Sequence, residues 1–193
     1  MFEQINKSIS RYVHFTDAEL QIFNSLLQQM SIPKKTLMLR AGETCTFEAF
    51  VIQGCIRKYY IDAQGSEVIV QFAIEDAWMG DISFSIYEDN PSQVYIETLE
   101  DSEFLYFTPE SKERLFAEAP RFERAFRILV QRNLSVTQNR LFNTIAKTAT
   151  EKYLDFIDRY PSLPQRVAQH YIASYLGISA EFLSKIRHRL AKE

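Results

Sequence analysis

Ser179, Ala180, Glu181, Ser184, Lys185, Arg187, His188 and Arg189 form a dense polar and basic run near the C-terminal end of this 193-residue chain. What precedes and interleaves them gives the run a shape. Between Gln169 and His188, Ile172 and Leu176 recur at helical spacing, Ala173 is small enough for two helices to cross, and Gly177 stands in a tight turn where a Cβ is expected to clash. Ile178 plugs the corner, and Leu183, Ile186 and Leu190 anchor a second helix that Ser179 caps at about residue 180. That burial leaves Ala180, Glu181, Ser184, Lys185 and His188 facing outward. A carboxylate can accept from cytosine N4 and an ammonium can donate to guanine, so Glu181 and Lys185 suit the reading of base edges. Lys185, Arg187 and Arg189 are placed for bases or phosphates, with Arg166 and Gln169 expected on the same surface. A plainer reading makes Glu181 and Lys185 an i,i+4 ion pair worth about 0.3 kcal/mol.

Other chemistries lack their residues. The three histidines are His14, His170 and His188, so none lies in the middle of the chain where a metal cupin would need two or three. No Walker loop, dinucleotide Gly-rich turn, Gly-x-Ser-x-Gly or Cys/His pair appears, and catalysis is not expected. Cys45 and Cys55 are too few for a disulfide framework or a four-thiolate cluster and read as reduced cytosolic thiols. The N-terminus has no basic stretch followed by an apolar one, which places the protein in the cytoplasm, away from membranes.

The elements that must position the C-terminal run follow from composition. With 46% apolar residues, 24% charged, 5 Gly and 6 Pro, this is a folded chain of one large or two small domains. Thr16 and Glu19 form a capping box that opens an amphipathic helix through Leu20, Phe23 and Leu27. From Lys35 to Thr108, short Val/Ile/Phe/Tyr-rich runs alternate with turn signals at 41–43, 53–54, 62–65 and 88–91, the pattern of an antiparallel sandwich or barrel. Residues 121–147 lack Gly and Pro, and as one helix of roughly 40 Å they are too long for a small domain to cover. Thr148 and Glu151 form a second capping box, and Pro161 and Pro164 stop the helix it starts. The expected organisation is 1–147, with a dimerisation helix at about 121–147, and 148–193.

Charge divides along nearly the same line. Residues 1–110 hold 7 Lys+Arg against 17 Asp+Glu, and residues 111–193 hold 15 against 8, so the halves carry −10 and +7 and sum to −3. A basic half suits a polyanion. From residue 59 to 111 there is no Lys or Arg.

The chain resembles the Crp/Fnr superfamily of bacterial transcription regulators over nearly all its length. The matching residues are Leu39-x-x-Gly42-Glu43, Gly54 with Arg57-Lys58-Tyr59, Gly65-x-Glu67, Phe72, and Trp78-Met79-Gly80-Asp81. The resemblance implies an α+β protein: an antiparallel, cyclic-nucleotide-binding-like β-roll with flanking helices, a long dimerisation helix and a small helix-turn-helix domain. It implies a homodimer on double-stranded DNA, with RNA polymerase as a further partner. Where members that bind cyclic AMP carry Gly-Glu and, about a dozen residues on, Arg, this chain reads Gly80-Asp81 and Asn90-Pro91-Ser92-Gln93-Val94. Without a cation the phosphate lacks its partner, so cyclic AMP is not expected as effector and no cofactor is assigned. An Arg of the long helix, Arg124 or Arg127, is the candidate replacement. The effector pocket is expected around Phe72, Trp78, Gly80, Asp81, Ser92, Gln93 and Val94, with Phe84 and Tyr95 adding aromatic character. An iron–sulfur cluster lacks its N-terminal cysteines, and a haem has only three histidines to choose from. The competing expectation is a signalling module of the same fold whose C-terminal helices contact protein and not DNA.

Overall fold

The computed structural model describes residues 2–81 and 91–192. Two helices open the chain, α1 (Glu3–Ile9) and α2 (Asp17–Leu26), the second with the reciprocal Thr16/Glu19 capping box. Among the described residues, eight strands follow in two four-stranded antiparallel sheets. One orders β1 (Gln28–Ile32), β8 (Ser102–Phe107), β3 (Glu48–Gln53) and β6 (Trp78–Met79); the other orders β2 (Leu37–Leu39), β7 (Tyr95–Thr98), β4 (Ile56–Ile61) and β5 (Glu67–Ala73). Alternation along the strands sends Leu39, Ala49, Val51, Ile56, Ala73, Ile96 and Phe104 into the space between the sheets.

The outer face of each sheet is covered by helices. Phe50, Leu105 and Phe107 point away from the roll interior and pack with Ile5, Phe23, Leu115, Phe122 and Phe126. Leu115 belongs to α3 (Pro109–Glu118), and Phe122 and Phe126 to the first turns of α4 (Arg121–Ala146). The 26 residues of α4 run past the roll, ending one residue short of the expected limit.

At Lys147 the backbone turns extended, and Thr148 caps α5 (Ala149–Arg159) through the expected box with Glu151. The short α6 (Leu163–Arg166), α7 (Gln169–Leu176) and α8 (Ala180–Leu190) complete the chain. Packing does not break where the helices do. Tyr59, Ile69 and Phe72 of the second sheet, with Leu99 just after β7, share one buried cluster with Tyr153, Phe156, Leu163, Ile172, Leu176, Leu183 and Ile186 of the C-terminal helices. Among the described residues, no helix is long and apolar enough to cross a membrane.

Candidate nucleic-acid interface and its anchorage

The α7–α8 pair is built as a helix-turn-helix. Ile172 and Leu183 are fully buried, Ala173, Leu176 and Ile186 nearly so. Gly177 closes α7 in the left-handed conformation (φ 68°, ψ 37°), and the Ile178 N–H donates to the Ala173 carbonyl at 3.0 Å. The Ser179 hydroxyl accepts from the Phe182 N–H at 3.2 Å, fixing the start of α8.

Glu181, Ser184, Lys185, His188 and Arg189 are exposed on α8, Arg187 and Ala180 are half-buried, and Gln169 is half-buried at the start of α7. Glu181 and Lys185 do not close an ion pair among the described residues. The Glu181 carboxyl is nonetheless held below the usual range, by its own backbone N–H, then by the Ser179 hydroxyl and the Lys185 charge. Arg189 is turned back to the start of α5, where it donates to the Thr150 hydroxyl at 2.6 Å.

Arg166 is engaged elsewhere. Its guanidinium grips Glu75 through two 2.8 Å hydrogen bonds, reaches Glu100 at 2.6 Å and donates to the Gly54 carbonyl at 3.0 Å, all on the roll. These carboxylates raise the Arg166 pKa, Glu100 first and Glu75 second, so the group is always charged. Arg166 therefore holds the helix-turn-helix to the roll in this arrangement and does not face outward with α8. Burial pushes the Glu75 carboxyl up, but the Arg166 bonds and the backbone N–H groups outweigh it, leaving Glu75 below its ordinary value.

Three further contacts tie the same two modules. Arg57, buried between Glu67 and Glu97, lays its guanidinium 4.2 Å from the Tyr171 ring centre. β5 is the edge of its sheet, and its outward backbone is satisfied by side chains. The Ile69 N–H donates to the Ser174 hydroxyl at 3.0 Å, and that hydroxyl donates to the Glu67 carbonyl at 2.7 Å. Lys58 pairs with Gln71 and Tyr59 with Ile69, leaving Val70 as an extra residue in the strand. Arg140 of α4 donates to the Val70 carbonyl and, at 2.9 Å, to the carbonyls of Ile69 and Tyr175. Neither Arg140, Ser174 nor Arg166 carried a sequence signal for this role, because their partners on the roll lie 66 to 112 positions away.

The expected effector residues divide. Phe72 lies outside the roll interior, edge-on to Phe156 and tilted against Tyr175. Trp78 is likewise on an outer face, with Phe50, Phe107 and Phe126 around it, and Tyr95 stacks on Tyr59. Gln93 is exposed and Val94 half-buried. Phe84 lies outside the described residues. Gly80, Asp81 and Ser92 do converge: the buried Ser92 hydroxyl donates to the buried Asp81 carboxylate at 2.6 Å, and Gly80 offers its carbonyl to Lys58 Nζ at 2.5 Å. The expectation that no cation is available there is thus corrected. Lys58 on β4 points inward opposite Arg57, and burial depresses its pKa against the pull of Asp81. Arg124 and Arg127 remain exposed on α4. With Asp81 bonded to Ser92 and no guanidinium alongside among the described residues, these residues do not fit a cyclic phosphate in the way the expected cassette would.

Residues 29–119 match the family model described as the cyclic nucleotide-binding domain. Residues 29–119 are thus similar to that domain, and the fold of the whole chain is like that of solved structures that include a regulator assigned to the Crp/Fnr family, from Eubacterium rectale. The global regulator CLP of Xanthomonas campestris, described as responsive to c-di-GMP, superposes with a TM-score of 0.72 at 17% identity, over 92% of each chain. FixK2 of Bradyrhizobium japonicum gives 0.76 at 18%, over 86% of this chain and 85% of its own. The Thermus thermophilus catabolite activator protein gives 0.58 at 19%, over 96% and 87%. No curated protein sequence matches.

Proposed function

We propose that the protein is a homodimeric transcription regulator that binds double-stranded DNA through α8. The observation that carries this reading is the exposed face of α8, where Lys185, His188 and the half-buried neighbour Arg187 stand on a helix-turn-helix whose Ile172, Ala173, Leu176, Leu183 and Ile186 are buried. Glu181 and Ser184 sit toward the N-terminal end of that helix, where base edges are read. Gln169 and Ser179 flank it, and Arg187 and Arg189 serve the phosphate backbone. Arg166 enters this interface only if the module leaves the roll. RNA polymerase is the partner expected of an activator, and nothing in the roll's chemistry calls for an enzyme.

Selection of bound fragments from a random duplex library, followed by mobility shift at two salt concentrations, tests the reading. The expected result is an inverted-repeat site bound about 10³-fold or more tighter than random DNA, with affinity falling steeply as salt rises. Recovery of no enriched sequence and no shift at low salt would overturn it in favour of a module whose C-terminal helices bind protein. Cyclic AMP is expected to leave the affinity unchanged, because Ser92 already occupies the Asp81 carboxylate.

A further inference from the structure

A cleft opens where α4 passes the C-terminal helices, remote from the roll interior and from the outward face of α8. Its walls include Val136 and Arg140 of α4, Phe156 and Arg159 of α5, and Tyr175 of α7. The floor is aromatic and buried: Phe156 tilts against both Tyr160 and Tyr175 at 5.4 and 5.5 Å between ring centres. The charge around it is unbalanced. Arg140, Lys152 and Arg159 line the cleft with one acid, Asp155, and that carboxylate already accepts from Lys147 at 2.5 Å and Asn143 at 3.0 Å.

Arg140 is the unusual member. It stacks 4.0 Å from the Tyr175 ring centre, and its three hydrogen bonds all go to neutral backbone carbonyls. Two of its five N–H groups make none, and no carboxylate among the described residues neutralises it. Burial pushes its pKa down, the direction expected of a cation short of a counter-charge. A partly buried guanidinium beside an apolar ring surface is what a planar organic anion requires: two oxygens for the fork and a ring for the aromatic wall.

We propose that this cleft binds a small aromatic carboxylate, its carboxylate drawn to Arg140 and Arg159 and its ring laid against Phe156 and Tyr175. The site stands apart from the DNA-binding reading and from Gly80, Asp81 and Ser92 of the roll. The exposed apolar residues of α4 do not block it. At 100° per residue, Val130, Leu134, Leu141 and Ile145 centre roughly 140° around the helix from the cleft-facing Val136, Arg140 and Asn143.

Amide spectra of the full-length protein titrated with benzoate, acetate and benzyl alcohol provide the test. Benzoate should shift resonances around 136–144, 152–160 and 175–176 saturably, with acetate and benzyl alcohol at least about tenfold weaker, since each lacks one half of the recognition. Arg159→Gln, an exposed change on the rim, should weaken benzoate about five- to tenfold while leaving the spectrum otherwise native, and Arg140→Lys should weaken it further. Ser92→Ala in the roll should leave benzoate binding intact. The proposal is overturned if benzoate produces no saturable shifts, if benzyl alcohol binds equally well, if Arg159→Gln has no effect, or if the shifts centre on the roll interior.

Discussion

A Cβ built on Gly177 would meet nothing within 4 Å, so the helix-turn-helix glycine is required by its left-handed backbone alone and not by a steric clash. Gly177→Ala should therefore cost only about 1 to 2 kcal/mol, the strain of a left-handed L-residue. Gly54 is different: at φ 109° its Cβ would fall 2.1 Å from the Ser102 hydroxyl, and its carbonyl and N–H also serve Arg166 and Glu75. Gly54→Ala should be markedly worse than Gly177→Ala in thermal unfolding; equal losses would show that the Ser102 contact relaxes freely. On α8 the side chains divide by what holds them. Lys185 closes no hydrogen bond or ion pair among the described residues and acts on Glu181 through its charge alone, so Lys185→Ala should cost about 1 to 3 kcal/mol on the selected DNA site and little on random DNA. Arg187→Ala should weaken both alike and lower the magnitude of the salt slope by about one. Arg189 must first give up Thr150, so its substitution should change affinity less than that of Arg187. Identical losses for Lys185 and Arg187 on every sequence would remove the base-reading role from Lys185.

At the scale of elements, the local codes were legible and the long-range ones were not. The helix-turn-helix, both Thr–Glu capping boxes and the extent of α4 follow from residues within a few positions of each other, so spacing alone exposes them. Which face of a strand meets a helix eighty positions later is not written locally. Phe72 and Tyr95 have the composition of pocket aromatics, yet both are spent on the outer face of the second sheet. The extra residue at Val70 also breaks the strict alternation from which an inward or outward face would be inferred. The acidic surplus of the roll was visible as a count, but not that Glu75 and Glu100 would converge on Arg166. That junction makes a pH prediction. Glu75 has a folded pKa below its ordinary 4.5, so its contribution to stability is complete above that value and is lost as pH falls through the folded pKa. The modules should loosen in acid below about pH 4.5, and Arg166→Gln should abolish that portion of the pH dependence. At neutral pH Arg166→Gln should cost about 1 to 3 kcal/mol, between an exposed ion pair and a buried one. Thermal unfolding of both proteins between pH 7 and pH 3 measures it; parallel curves would assign the acid sensitivity to other carboxylates.

For the molecule as a whole, the acidic roll and the basic helices attract each other, and this attraction acts with one apolar cluster and the Arg166 junction to hold them together; a polyanion should compete with the roll for the same basic helices. A polyanion should attract the C-terminal module and be repelled by the roll, which biases the pair toward arrangements that turn α8 away from residues 1–110. A single helix-turn-helix would read only half of a two-fold site, and α4 carries the means of pairing. Val130, Leu134, Leu141 and Ile145 recur at intervals of four, seven and four and are all substantially exposed, Ile145 at 77%. Exposed apolar residues in one stripe on a helix are the expected seam of an isologous dimer, in which the same stripe of a second copy covers them. The protein should therefore sediment as a dimer at micromolar concentration, and its operator half-sites should be centred roughly 34 Å apart. Leu141→Glu together with Ile145→Glu places charges on the seam without touching the core, since both side chains are exposed. This double variant should stay folded, become a 22.6 kDa monomer and lose affinity for the full inverted repeat far more than for a single half-site. Retention of the dimer by the variant would move the interface off this stripe, and a monomeric wild type in the presence of its operator would end the two-fold reading altogether.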